Sequence, residues 1–237
     1  MKAKKKIGVS FTKTNFDNYV NWFSKSDLSD DLEIVKLSFI DNNIDEINQC
    51  DGFVLTGGVD VDPSYYDGAK IYTNCPAEFQ KDRDQFEEKI YRYSQQNQLP
   101  LLAICRGLQL VNVLEGGKLI QDLGVEENKK HKKEIADKIH EIEIMSGSLI
   151  HEITGTSSGM VNSAHHQSID PNHLGENLMV VAKDSHGPII EAIEFKDKTN
   201  KAFMLCVQYH PERMENKEQN PLSQKIKENF LTAVRNN

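Results

Sequence analysis

Leu101-Leu-Ala-Ile-Cys105-Arg-Gly-Leu-Gln109 passes from a strand pattern to a helical one across a single cysteine, and that switch restricts the chain to folds in which a strand feeds directly into a helix. Leu99, Leu101, Leu102 and Ile104 around Pro100 read as a short buried strand. Leu108, Val111 and Leu114 then recur at helical spacing until Gly116-Gly117 stops the pattern. Ala103 and Gly107 stand two residues to either side of Cys105, and small residues there let strand and helix approach closely. The turn places the sulfur at a helix N-terminus, whose free N–H groups favour an anion. Taken alone, such a cysteine is equally a nucleophile or a small buried hydrophobe. Cys50 and Cys206 fit the second description, and Cys75 lies in polar sequence.

A second apolar strand, Phe203-Met-Leu-Cys-Val-Gln-Tyr-His210-Pro-Glu212, ends in a base and a carboxylate. Pro211 disfavours helical backbone at His210, and in an extended chain residues i and i+2 share a face. His210 and Glu212 are therefore expected side by side at the strand's end. A thiol nucleophile needs a base to take its proton, and the base needs a third group to fix its tautomer and stabilise its charged form. His-x-Glu by itself is an ordinary surface turn; beside a cysteine elbow it completes a Cys105–His210–Glu212 triad. The third piece is Gly52-Phe-Val-Leu-Thr-Gly57-Gly58-Val-Asp60, an apolar strand running into two glycines, where backbone can approach a ligand closely. Acyl chemistry requires N–H donors aimed at the developing oxyanion. Gly58 can supply one and Arg106, the residue after the cysteine, another.

Strand and helix patterns alternate through the first half of the chain. Ile7 to Phe11, Glu33 to Phe39, Gly52 to Thr56 and Leu101 to Ile104 read as strands. Asp82 to Gln96 reads as a helix with Phe86, Ile90 and Tyr93 on one face. Such alternation implies an α/β fold, a three-layer, mostly parallel central sheet with helices on both faces. Ligands of these sheets bind beyond the C-terminal ends of the strands, and Gly57, Cys105 and His210 each follow a strand's last apolar residue. From about 123 to 158 the sequence is polar and lysine-rich, with a short strand at Glu141 to Met145, and reads as a loop or hairpin insertion over the site. Its basic run, Lys129-Lys-His-Lys-Lys133 after Glu126-Glu127, reads as a solvated loop. Strands resume at Leu178 to Ala182, Ile189 to Phe195 and Ala202 to Tyr209. A helix from Pro221 to about Val234 closes the chain, with Ile226, Phe230 and Val234 on one face. No internal repeat, low-complexity segment or linker interrupts the sequence, so residues 1–237 are expected to form a single domain.

Composition removes other classes of function. No stretch approaches the length of a membrane span, and the basic start Met1-Lys-Ala-Lys-Lys-Lys6 precedes an apolar run too short for a signal peptide. A net charge of −8 argues against general nucleic-acid binding. Four cysteines without framework spacing suit a reducing, cytoplasmic setting.

Together these pieces resemble the class I glutamine amidotransferase-like superfamily, and within it the branch of γ-glutamyl-γ-aminobutyrate hydrolases and related C26 peptidases. The matching stretches are Thr56-Gly-Gly-Val-Asp60 with Pro63, Asp82-Arg-Asp-Gln-Phe-Glu87, Ile104-Cys-Arg-Gly107 and Gly116-Gly117 through Gln121-Asp122-Leu123. Val161-Asn-Ser-Ala-His-His-Gln167, Ile190-Glu-Ala-Ile-Glu194 and Val207-Gln-Tyr-His-Pro-Glu212 follow in the family's order. Arg106 and the His165-His166-Gln167 run are the branch-specific parts; synthase-linked glutaminase domains more often have Leu after the nucleophile. Tyr209 stands where the branch often has Trp, and Ser185-His186-Gly187 replaces its usual Asp-Gly turn.

The resemblance implies a flavodoxin-like sheet and a role for each matching residue. Cys105 would be the nucleophile, His210 the base and then acid, Glu212 the orienter, and the Gly58 and Arg106 N–H groups the oxyanion hole. Gly57 and Gln109, with Asn162, Ser163, His165 and His166, would hold the glutamyl head. Read from the residues alone, the two adjacent histidines are equally open to a structural role. As ligands of one metal ion they are disfavoured, because sequence neighbours on a strand point to opposite faces.

The implied reaction is hydrolysis of a γ-glutamyl amide, with γ-glutamyl-γ-aminobutyrate the first choice and putrescine breakdown the setting. It needs no metal or organic cofactor, a small molecule is the partner expected, and the fold is compatible with a homodimer. Tyr65, Tyr66 and Ser185 to Pro188 are candidates for the rim that meets the leaving amine. Two rivals stay open, a glutaminase subunit that delivers ammonia to a synthase and a non-catalytic regulatory or binding protein on the same fold. The first predicts dependence on a partner and the second a broken triad, whereas Cys105, His210 and Glu212 are all present.

Overall fold

Apolar residues fill successive positions in the strands that carry the motifs, and such runs are stable only where both faces of a sheet are covered. The computed structural model describes residues 4–24 and 31–237 and has this arrangement. From the N-terminus the elements are β1 (Lys5–Ser10), α1 (Phe16–Ser24), β2 (Leu32–Leu37), β3 (Gly52–Leu55), α2 (Lys81–Gln96), β4 (Leu101–Ile104), α3 (Arg106–Leu114) and β5 (Leu119–Ile120). They continue with α4 (Gly124–His131), β6 (Lys138–Ile144), α5 (Leu149–Thr154), β7 (Ser158–Ser163), β8 (Ser168–Ile169), β9 (Leu178–Asp184), β10 (Ile190–Phe195), β11 (Met204–Val207) and α6 (Pro221–Asn236).

Nine strands form one sheet in the order β2-β1-β3-β4-β11-β10-β9-β6-β7. From β2 to β11 neighbouring strands run parallel, and β10, β9, β6 and β7 continue the sheet by antiparallel pairing. β5 and β8 form a separate two-stranded ribbon. Period-two alternation sends Phe53, Leu55, Leu101, Ala103, Met204 and Cys206 to one face, against Phe86 and Ile90 of α2 and Leu108 and Val111 of α3. Val54, Leu102, Ile104, Leu205 and Val207 go to the other face, against Tyr19, Trp22 and Phe23 of α1 and Ile226, Phe230 and Val234 of α6. Pro221 opens α6 where a missing N–H costs nothing, and Asn220 caps it by accepting from the Leu222 N–H at 2.9 Å. Among the described residues no helix is long and apolar enough to cross a membrane.

Two expectations change. The 123–158 region is not a loop or hairpin laid over the site: β6 pairs with both β9 and β7, so this hairpin extends the main sheet at its edge. Its polar look arises because β6 fully buries only Ile142 and Ile144. Nor is the basic run a solvated loop. Lys129 and Lys130 ride on α4, paired with Glu126 and Glu127 three residues earlier, while His131 beside them is completely buried. The other strand and helix ends fall within about two residues of their expected places.

Candidate active site

β4 ends at Ile104 and α3 begins at Arg106, so Cys105 alone makes the turn. Its backbone lies at φ 54°, ψ −103°, a conformation that L residues rarely adopt and that costs about 1–3 kcal/mol. Neighbours hold it there. The Cys105 N–H donates to Val207 O at 2.7 Å, and Cys105 O accepts from the Gln109 N–H at 3.2 Å. Gly107 shows why the turn needs small neighbours, since a Cβ there would lie 2.6 Å from the Leu55 carbonyl oxygen.

β11 delivers the base. Beyond Val207 the chain passes through Gln208 and Tyr209 to His210, and Pro211–Arg213 then forms a 3-10 turn. The expected contact between His210 and Glu212 is present, with Nδ1 2.8 Å from Oε1. An extended chain is not what makes it: the 3-10 turn begun by Pro211 folds Glu212 back onto the ring. Burial works against charge on His210, but the Glu212 carboxylate and the Cys105 sulfur more than offset it and raise the ring to about 9. The Cys105 sulfur lies near enough to the same imidazole to favour its charged form. The His210 backbone N–H donates to Asn162 Oδ1 at 3.0 Å.

The glycine turn leaves β3 beside these groups. A Cβ on Gly57 would come 2.8 Å from His210 Cε1 and 3.6 Å from Cys105 Cβ, and Gly58 has φ +146°. The Gly57 N–H donates to Tyr19 Oη at 2.9 Å. Arg83 Nη2 donates to the Thr56 and Gly57 carbonyls at 3.2 and 2.9 Å. From the elbow, the Arg106 guanidinium reaches Asp84 and Glu87 of α2, and Glu87 also accepts from Arg83 Nε at 2.9 Å. Two guanidiniums and two carboxylates, all at most 1% exposed, thus tie the elbow and the glycine turn to one helix.

The remaining candidates divide into two groups. Gln109 and Asn162 connect to the elbow and the base. Gln109 Nε2 lies 3.2 Å from both Gln167 O and Gln208 Oε1, and Gln208 directs its own Nε2 at Cys105 Sγ, 3.5 Å away. Asn162, besides holding the His210 N–H, donates through Nδ2 to Asp137 Oδ2 at 3.0 Å. Ser163, His165 and His166 face other partners. Ser163 Oγ donates to the His131 carbonyl at 3.0 Å. The His165 and His166 rings diverge: His165 Nδ1 sits 2.8 Å from Gln167 O and its Nε2 3.6 Å from Glu191 Oε1. Burial pulls His165 down to about 3. His166 bridges Asp60 and Asp122 at 3.2 and 3.3 Å, and although burial opposes its charge, these two carboxylates raise its pKa. Of the rim candidates, Tyr65 Oη donates to Glu88 Oε2 at 3.2 Å and Tyr66 Oη accepts from Gln121 Nε2 at 3.2 Å. The Ser185 N–H is tied to Glu141 O at 3.0 Å. Sequence reading does not single out Gln208, Tyr19 or Arg83; a glutamine inside an apolar strand, two residues before the base, is the signal that points to the first.

A thiol beside an imidazole that a buried carboxylate holds can pass its proton to that ring and attack an acyl carbon. The Arg106 N–H stands at the first position of α3, where the helix offers it no carbonyl, so it is free to meet an oxyanion. A family model described as peptidase C26 matches residues 37–212, which contain every motif from Thr56 to Glu212. The chain is 35% identical over 211 residues to the glutamine amidotransferase-like protein YvdE of Lactococcus lactis, covering 86% of this chain and 81% of that one. It is 31% identical over 160 residues to the γ-glutamyl-γ-aminobutyrate hydrolase PuuD of Escherichia coli, across 64% of this chain and 60% of that one. The solved structure of a GMP synthase component from Thermoplasma acidophilum superposes with a TM-score of 0.69 at 17% identity, over 100% of this chain and 96% of that chain, a likeness of fold. The chain belongs to the peptidase C26 family, within the class I glutamine amidotransferase-like superfamily.

Proposed function

We propose that the protein hydrolyses γ-glutamyl amides to glutamate and a free amine, with Cys105 as nucleophile, His210 as base and then acid, and Glu212 as the group that orients His210. The observation that carries the reading is the strained elbow, which presents Cys105 to an imidazole whose Nδ1 is 2.8 Å from a buried carboxylate. Cys105 gives its proton to His210 and its sulfur attacks the γ-carbonyl, while the Gly58 and Arg106 N–H groups receive the developing oxyanion. The intermediate collapses, His210 protonates the departing amine, and a γ-glutamyl thioester remains. Water deprotonated by His210 then releases glutamate and restores the thiol. The similarity to a γ-glutamyl-γ-aminobutyrate hydrolase supports γ-glutamyl-γ-aminobutyrate as the first substrate to offer.

The test is glutamate release from a panel of γ-glutamyl amides, glutamine among them, by the purified protein. Release is expected without any partner protein, faster from γ-glutamyl amines than from glutamine. Cys105→Ala is expected to stay folded and lose activity by about 10³-fold or more. Turnover retained in that variant, or no release from any member of the panel, overturns the reading. Release from glutamine alone, and only with a synthase present, favours ammonia delivery instead.

A further inference from the structure

Glu191 of β10 lies one strand over from Gln208, whose N–H donates to the Glu191 carbonyl at 2.8 Å. Its side chain is fully buried, and neither carboxylate oxygen has a hydrogen-bond partner. Three imidazoles converge on it. His140 Nε2 and His165 Nε2 each lie 3.6 Å from Glu191 Oε1, and His131 Nδ1 lies 3.9 Å from the same oxygen. The Nε2 atoms of His140 and His165 have no other partner. His131 Nδ1 has one long contact, 3.3 Å to Ser163 Oγ. For His165 the lone pair is on Nε2, because its Nδ1 is positioned to donate to the Gln167 carbonyl at 2.8 Å. A lone pair facing a buried carboxylate is repulsive unless a proton or a metal cation lies between them, and an unpaired buried charge is costly.

The outer partners have the form that metal centres use. Asp184 at the end of β9 faces the opposite nitrogens of two of the rings, with Oδ2 3.3 Å from His131 Nε2 and Oδ1 3.8 Å from His140 Nδ1. His140 Nδ1 is positioned to donate to the Glu141 carbonyl at 3.3 Å, which turns its Nε2 toward Glu191, and Asp184 flanks the outer side of His131 as carboxylates flank the histidines of metal centres. One ligand atom each from His131, His140 and Glu191 all lie within 4.8 Å of one another. Ligands about 2.0–2.1 Å from a tetrahedral ion stand about 3.3 Å apart, so the Glu191 oxygen, 3.6 and 3.9 Å from the two nitrogens, is near that spacing, and the two rings have to close by at most about 1.5 Å.

We propose that His131, His140 and Glu191, flanked by His165 and Asp184, bind a divalent first-row transition metal ion of the zinc class. Imidazole nitrogens with a carboxylate suit zinc, cobalt and nickel, whereas calcium and magnesium require more oxygen ligands than these side chains offer. The ion's two charges offset Glu191 and Asp184. Its ligands come from α4, β6 and β10, so it clamps the 124–144 segment to the main sheet, and the chemistry at Cys105 does not require it.

The full-length protein, stripped with a chelator and then given Zn²⁺, is expected to retain about one equivalent per chain after dialysis and to melt several degrees higher than the stripped form. Glu191→Gln and His140→Gln are expected to lose both effects, and Cys105→Ala to keep both. Cobalt(II) bound to the unaltered protein is expected to give visible absorption without the charge-transfer band of a thiolate ligand. That measurement needs no variant to fold. No metal retained by the unaltered protein, a cobalt–thiolate band, or undiminished binding in both cluster variants overturns the proposal.

Discussion

At His210 burial and charge pull in opposite directions. An imidazole is easily moved across the working pH range, from an ordinary value near ~6.5. Desolvation favours the neutral ring, but the Glu212 carboxylate and the Cys105 sulfur hold it charged up to about 9. Because the folded value lies above the unfolded one, this contribution to stability is complete below about 6.5 and is lost as pH rises through the folded value. Glu212→Gln removes the largest contribution opposing desolvation. The alkaline limb of the pH profile of kcat/KM is expected to move toward neutrality, with kcat down by about two to four orders of magnitude. A limb that stays put in the variant would mean that Glu212 does not set the proton affinity of His210. The His-x-Glu pairing was legible from spacing, but its geometry was not. Pro211 restricts the residue before it, whereas the contact depends on a 3-10 turn closed from the Arg213 N–H to His210 O at 3.3 Å, which leaves no periodic trace. Gln208 was obscured for a related reason: one polar residue in an apolar strand does not disturb the strand pattern.

Between elements, the elbow and the glycine turn depend on α2. Arg83 and Glu87 are four residues apart, and Asp84 and Glu87 three apart, so all share a helix face. That face meets the Arg106 guanidinium instead of water. Local charge content makes Asp82 to Glu87 look solvated; the i,i+4 spacing of Arg83 and Glu87 was the available clue, and the inward face was not visible without the Arg106 contact. Arg106→Leu leaves two buried carboxylates with only Arg83 to balance them. It is expected to destabilise the fold by about 3–5 kcal/mol in urea titrations, the usual range for breaking a buried charge pair from one side. A loss under about 1 kcal/mol would place the network in the class of surface pairs. Gly107→Ala tests the other support of the elbow. Its Cβ meets backbone at Leu55, which cannot swing aside as a side chain can, so destabilisation of about 1–3 kcal/mol is expected by the same measurement.

For the molecule as a whole, the parallel half of the sheet was legible because its central strands β3, β4 and β11 carry unbroken apolar runs, and the edge was not. β6 faces the core fully with only Ile142 and Ile144, and His131 lies among lysines that point to solvent. The buried cluster there joins residues from position 131 to position 191, a separation no local pattern spans. The two apolar layers, by contrast, share β3, β4 and β11 residue by residue, Val54 on one face and Phe53 and Leu55 on the other. Neither layer can leave without exposing strands on which the other depends. Trp22, the only tryptophan, is buried between α1 and α6, where its Nε1 donates to Ser223 Oγ at 3.1 Å. On the same helix Tyr19 accepts the Gly57 N–H, so the layer that Trp22 reports on also supports the glycine turn. Unfolding in urea is therefore expected to give coincident midpoints by Trp22 fluorescence, by far-ultraviolet circular dichroism and by loss of the proposed γ-glutamyl hydrolysis. A fluorescence transition that precedes the dichroism change would mean that α1 and α6 detach first; activity lost with that early phase would then identify the Tyr19 contact as the link through which the layer acts on the site.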